Sequence, residues 1–163
     1  MKKVVLLLLI CFPLISFSQT DAGIDGFRGL KWGTPMSDFP FELVKSKNRI
    51  PPYKAYDRKS GEDFMYEGIR VHTLTYAFDD NTFAAVNIGI LHAQLEDMVE
   101  RFTNKFGTPT VKESPIIVNY EWYLEKSMIS ITYLPMVQSE KNVSIGIGKL
   151  RDFHKKGKKK KRH

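Results

Sequence analysis

The chain has 163 residues, 25 of them basic and 18 acidic, a formal charge of +7 and a single cysteine. That lone Cys11 excludes an internal disulfide, a thiolate zinc site and iron–sulfur ligation. The charge is not spread over the chain. Seven basic residues (Lys155, Lys156, Lys158, Lys159, Lys160, Lys161 and Arg162) crowd into the last ten positions, and Lys2 and Lys3 open the sequence. Without those nine, 16 basic residues face 18 acidic ones, so the body carries −2. The basic character that would suggest nucleic acid belongs to an appendage.

Residues 1–18 have the layout of a secretory signal peptide. Lys2 and Lys3 form a basic start, Val4 to Ile15 is an apolar run, and Ser16 and Ser18 are small residues before a cleavage at Gln19. The run is too short to span a bilayer, which takes roughly 20 apolar residues, and Pro13 interrupts it. Bulky Leu9 and Ile10 ahead of Cys11 argue against a lipid-modified cysteine. The expectation is an exported chain, periplasmic or secreted, with no transmembrane segment after cleavage. Residues 19–153 then make one domain, large enough to bury a core without disulfides. Residues 154–163 read as a disordered basic tail. Like charges repel one another, and the tail would attract anionic envelope surfaces in a salt-dependent way.

In chain order, Phe27, Leu30 and Trp32 suggest a short first strand. Thr34-Pro35 then starts a helical turn that Pro40 stops. Lys45 to Asp63 is charged and broken by Pro51-Pro52 and Ser60-Gly61. It reads as a loop or short hairpin, with Tyr53 and Tyr56 on one arm and Phe64 and Tyr66 on the other. Ile69–Phe78 and Thr82–Leu91 alternate as strands. A three-residue turn, Asp79-Asp80-Asn81, would bring Leu74, Tyr76 and Phe78 onto one face with Val86, Ile88 and Ile90. Phe83 is out of phase with Val86, which calls for a bulge between them. Ala93 to Phe106 is an amphipathic helix with Leu95, Met98, Val99, Phe102 and Phe106 on one side and Gly107 at its end. Three alternating strands follow, over about 117–125, 128–134 and 143–148. The sum is an α+β domain: an antiparallel sheet with one wet face, covered on the other by one main helix, plus the N-terminal helical turn.

The stretches "GFRGLKWGTPMSDF", "YAFDDNTFAAVNIGI", "FTNKFGTPT" and "YEWYLEKSMISITYL" run through most of the mature chain. Their order resembles that of small exported bacterial domains of unknown function. In those, a W-G-T/S start precedes a Y-x-F hairpin, a helix ending in G-x-P and a strand with a Trp. More faintly, the helix, G-T-P and W-Y stretch is similar to outer-membrane-assembly lipoproteins of the SmpA type, whose lipidated cysteine this chain lacks. These motifs are packing and turn features. The resemblance implies a fold and names no activity.

The chemistry-bearing residues form no catalytic pattern. His72, His92, His154 and His163 have no metal-ligand spacing, and no metal or other cofactor is expected. Gly146-Ile147-Gly148 lacks the third glycine and the following helix of a dinucleotide site. Glu96/Glu100 and Glu121/Glu125 are carboxylate pairs on solvated faces. Tyr and Trp are favoured interface anchors. Tyr123, between Glu121 and Glu125 on the wet face, is therefore the leading contact residue, with Tyr53 and Tyr56 of the Lys45–Asp63 stretch as further binding candidates. The function expected is a non-enzymatic exported domain that contacts a protein or envelope component through the sheet face or the Lys45–Asp63 loop. The alternatives are a small periplasmic enzyme of unrecognised type, or a protein inhibitor or immunity-like partner.

Overall fold

The computed structural model describes residues 24–150; the expected signal peptide and the basic stretch 154–163 lie outside the described residues. The chain opens with a miniature hairpin, β1 (Gly26–Phe27) and β2 (Leu30–Lys31). A 3-10 turn follows at Met36–Asp38, and Pro35 precedes it. The main sheet takes β3 (Leu43–Lys45), β4 (Lys54–Arg58), β7 (Thr73–Asp79) and β8 (Thr82–Ile90) from the first half. From the second half come β9 (Thr110–Glu113), β10 (Val118–Tyr123), β11 (Ser127–Tyr133) and β12 (Val143–Lys149). Their order is β3-β4-β7-β8-β12-β11-β10-β9, with every neighbouring pair antiparallel. A second miniature hairpin, β5 (Met65–Tyr66) and β6 (Ile69–Arg70), stands apart from it. An α-helix, α1 (Leu95–Phe106), follows a 3-10 turn at His92–Gln94. Among the described residues antiparallel sheet thus dominates, with one α-helix.

The β7–β8 hairpin corrects one expectation and meets another. Asp79 pairs with Thr82, so the turn has two residues, Asp80 and Asn81, rather than three. Both are left-handed, with φ of 44° and 66°, which matches the right-handed twist of the flanking strands. The register shifts between Ala77 and Phe78, where Ala84 is the extra residue of a bulge. That bulge turns Phe83 back into phase with Val86, and both are buried. The long strand expected from Ile69 breaks at Val71-His72. The Lys45–Asp63 region is also rearranged. The partner of β4 is Leu43–Lys45, and Tyr66 belongs to the separate β5–β6 hairpin.

One face of the sheet carries the core. Tyr76, Val86, Ile88, Ile129, Ile131, Ile145 and Ile147 are buried there with Met98 and Phe102 of α1. Phe102 meets Trp122 edge-on at 5.5 Å, and Trp122 Nε1 donates to the carbonyl of Gly107, just past the helix end, at 2.7 Å. Each large apolar side chain removed from water here contributes about 1.5–3 kcal/mol. Gly107, at φ 86° and ψ −174°, ends the helix in a positive-φ conformation that glycine adopts without strain.

Both ends of the described chain meet at one corner. The hydroxyl of Ser127, wholly buried, donates to the carbonyl of Ile24 and accepts from Trp32 Nε1 at 2.9 Å. Ser127 also pairs with Lys149, and Leu150 N donates to Lys126 O at 3.0 Å.

Candidate functional site

Side chains alternate across a strand, so the apolar face fixes what the opposite face presents. In this sheet the opposite face carries two rows made mostly of small polar residues, beside a third row of Ala77, Ala85, Gly148, Met128 and Tyr123. One row runs strand to strand through Thr75, Asn87, Gly146, Ser130, Glu121 and Thr110, each paired with the next. A second runs through Thr73, Gly89, Ser144, Thr132, Asn119 and Lys112. The helix packs on the other side, and Asn87, Ser144, Ser130, Thr132 and Asn119 remain partly exposed. Two glycines shape the floor. A Cβ on Gly146 would meet Ser130 Oγ at 2.9 Å, and one on Gly89 would meet His72 Nε2 at 2.8 Å. Both side chains therefore lie across the sheet where a larger residue would exclude them.

The rows end in charged clusters. At the β9–β10 end, Lys112 Nζ donates to Glu121 Oε2 at 2.6 Å and the Tyr123 hydroxyl donates to the same oxygen. Burial alone would raise the Glu121 carboxyl, but the hydrogen bonds from Lys112 and Tyr123 outweigh it and hold the group below the usual carboxylate range. The same bond to Glu121, with some burial, pushes the Tyr123 phenol up. At the β4 end, Asp57 accepts from Thr75 Oγ1 at 2.9 Å and from Ser46 Oγ at 2.8 Å, while Asn48 Nδ2 donates to Thr75 Oγ1 at 3.1 Å.

Of the residues singled out from sequence, Glu121 and Tyr123 come together. Glu121 departs from expectation in being buried rather than solvated, since Lys112 of β9 and Tyr123 lie over it. Tyr123 is 48% exposed. Glu125 lies beyond the end of β10, in a hollow of about 500 Å³ at the corner where the described ends meet, beside Trp32 and Lys126. Tyr56 packs edge-on against Phe78 at 5.5 Å, braces the core and, half-buried, also lines a hollow beside it. Tyr53 lines the same hollow, which residues 45–56 form. β4 and β10 are five strand spacings apart in the sheet order, about 24 Å, so the two tyrosine groups form no single patch. The basic tail residues lie outside the described residues.

Among the described residues, no group of three or more His, Cys, Asp or Glu is placed to hold a metal. His92 meets Tyr133 edge-on at 4.7 Å, whereas His72 folds over Gly89. Among the described residues no helix is long and apolar enough to cross a membrane. Compared with family models, curated proteins and solved structures, the chain matches none. The polar rows follow the alternation that the sequence shows in β11 and β12, where Ser130, Thr132, Ser144 and Gly146 separate apolar residues, and Asn87 and Gly89 extend them into β8.

Proposed function

We propose that this chain is an exported, non-enzymatic binding domain of α+β class that takes a protein or other envelope component on the open polar face of its sheet. The observation that carries this reading is the pair of cross-strand rows, Thr75 to Thr110 and Thr73 to Lys112. A sheet face needs no second layer when its side chains are already content in water. This one offers the hydroxyl and amide groups of Ser130, Thr132, Ser144, Asn87 and Asn119, with a mixed-charge anchor at Tyr123. Direct and water-bridged hydrogen bonds suit such a surface. The basic tail, residues 154–163, adds nonspecific attraction to anionic envelope surfaces, and nucleic acid is not its intended partner.

The test is cosedimentation with envelope membranes from the same cells, with and without residues 154–163, across a salt series. We expect the tail-less chain to bind at high salt, where the electrostatic part is screened. Ser130→Trp, at the centre of the face, is expected to abolish that binding while leaving the circular dichroism spectrum unchanged. Binding that needs the tail at every salt concentration, or that ignores Ser130→Trp, overturns the proposal.

A further inference from the structure

Two turns stand side by side at one end of the sheet. β10 starts at Val118, opposite Tyr133 where β11 ends, and β12 starts at Val143, opposite the same residue. The turn 114–117 before β10 and the loop 134–142 between β11 and β12 are therefore neighbours. Each is braced by its own hydrogen bonds. Ser114 N donates to Ile117 O at 2.9 Å. Val137 N donates to Leu134 O at 3.0 Å, and the Asn142 amide donates to the carbonyls of Val137 and Leu134.

These braced turns expose what a fold normally hides. Ile116 is 64% exposed and Met136 71%, and Leu134 and Val137 are exposed beside Met136. Large apolar side chains gathered at one place on a surface mark a contact with a protein or a membrane.

Positive charge lies on one side of them. Where β7 and β12 begin, a cleft of about 280 Å³ is lined by Arg49, His72, Thr73, Leu134, Lys141 and Ser144. Arg49 and Lys141 thus flank Leu134 on the side of the polar face, and exposed Lys47 lies two residues before Arg49. None of these three cations has an ion pair among the described residues. Asp57, on the same side, is taken up by hydrogen bonds from Ser46 and Thr75. Two further acids at this end lie on the other side. Glu113 alternates with Lys112 and so points to the helix side, and Glu140 lines a separate hollow with Leu91 and His92.

A protein partner and a bilayer make different demands. A stable protein interface buries about 800 Å² per partner around aromatic or arginine anchors. Four aliphatic or thioether side chains on two turns offer no aromatic anchor and little area. A bilayer needs no matching shape. Apolar tips enter the acyl boundary, and cations beside them meet the phosphates.

We propose that the turns 114–117 and 134–142 dock on an anionic lipid surface, with Ile116, Leu134, Met136 and Val137 entering the acyl boundary and Lys47, Arg49 and Lys141 meeting the headgroups. This lipid contact is separate from the open polar face and stands without it.

The experiment is tryptophan fluorescence of the full-length Met136→Trp chain on vesicles of phosphatidylcholine and phosphatidylglycerol whose acyl chains carry bromine, a contact quencher. It is run at about 0.1 M salt, where exposed charges still act. We expect a blue shift and quenching above that of the parent. Val44→Trp, exposed on β3 at the far edge of the sheet, is expected to show no such quenching. The basic tail attracts all of these chains alike, so only insertion separates them. Ile116→Ser with Val137→Ser, and in a second chain Arg49→Gln with Lys141→Gln, are each expected to cut the quenching of Met136→Trp by about twofold or more, with the circular dichroism spectrum unchanged. In about 0.5 M salt the quenching is expected to disappear, because the apolar tips alone hold weakly. Ser130→Trp therefore still reads the open face in sedimentation at high salt. No quenching of Met136→Trp, equal quenching of Val44→Trp, equal quenching on phosphatidylcholine alone, or quenching indifferent to either pair overturns the proposal. A dimer in sedimentation equilibrium that Met136→Glu dissociates, with no quenching on vesicles, would assign the turns to a second copy of the chain instead.

Discussion

The imidazole of His72 occupies the space where a side chain on Gly89 would have to stand. A Cβ built on Gly89 would come within 2.8 Å of His72 Nε2 and would also press on Thr73 Oγ1. Gly89 pairs with Thr73 on one side and Ser144 on the other, so neither strand can move away to make room. Gly89→Ala is expected to push His72 out over the cleft. The cost is that of overpacking a filled site, about 1–3 kcal/mol. Urea denaturation reads the loss, and a shift of the His72 Cε1–H resonance reads the displacement. A variant as stable as the parent with an unmoved resonance would contradict this account.

His72 also gives stability a pH dependence. Burial, first, and then Lys141 hold its pKa below the ordinary 6.5, against the opposing pull of the Ile90 backbone. The unfolded chain therefore takes up a proton that the folded chain refuses. Stability is expected to fall as pH drops through 6.5 and to stop falling once the folded-state value is passed. Unfolding curves at a series of pH values in the parent and in His72→Gln isolate this slope, which the variant should lack.

At the other end of the face the sign is reversed. Glu121 is held below the 4.5 of a free glutamate because the bonds from Lys112 and Tyr123 exceed the cost of its burial. Its contribution is present above pH 4.5 and is lost as pH falls through the folded-state value. Tyr123→Phe combined with Lys112→Met removes both donors and leaves burial to act alone. The Glu121 carboxyl is then expected to titrate at a higher pH, as followed by its side-chain carbonyl resonance. An unchanged titration would mean that the two donors do not set it.

Glu62 joins the first hairpin to the sheet. Arg28 Nη1 donates to its Oε1 at 2.6 Å, and the Tyr76 hydroxyl donates to its Oε2 at 3.0 Å. Arg28 Nη2 also reaches the carbonyls of Asp63 and Met65. The Glu62 side chain is only 6% exposed, so Glu62→Ala strands the Tyr76 hydroxyl in the core and takes a partner from Arg28. A loss of about 1–3 kcal/mol in denaturant titration is expected. Tyr76→Phe in the same background should recover part of it, because the stranded hydroxyl is then gone.

Strands and helix were legible where burial imposes a period. Leu74, Tyr76 and Phe78 alternate, the helix repeats Leu95, Met98 and Phe102, and the misphasing of Phe83 was enough to demand the bulge at Ala84. β9 was not legible. Its four residues, Thr110 to Glu113, are all exposed and carry no period. That omission hid the burial of Glu121, since alternation assigns a residue to a face and says nothing of a lysine arriving from a neighbouring strand. The Asp79–Asn81 turn was ambiguous for a similar reason. A bulge and an extra turn residue shift the phase equally, and only the backbone separates the two. The His72 cleft draws on Asn48, Thr73 and Asn142, which are distant in sequence and joined only by strand order, so no local pattern could reveal it.

The corner at Ser127 bears on how the cleft is presented. Ile24 and Leu150, the first and last described residues, lie together there, whereas Ser144 and His72 stand at the opposite end of the strands. From Lys149 to Ser144 along β12 is about 17 Å at the rise of a strand. The length of β12 thus sets the corner where the described ends meet apart from the His72 end of the polar face.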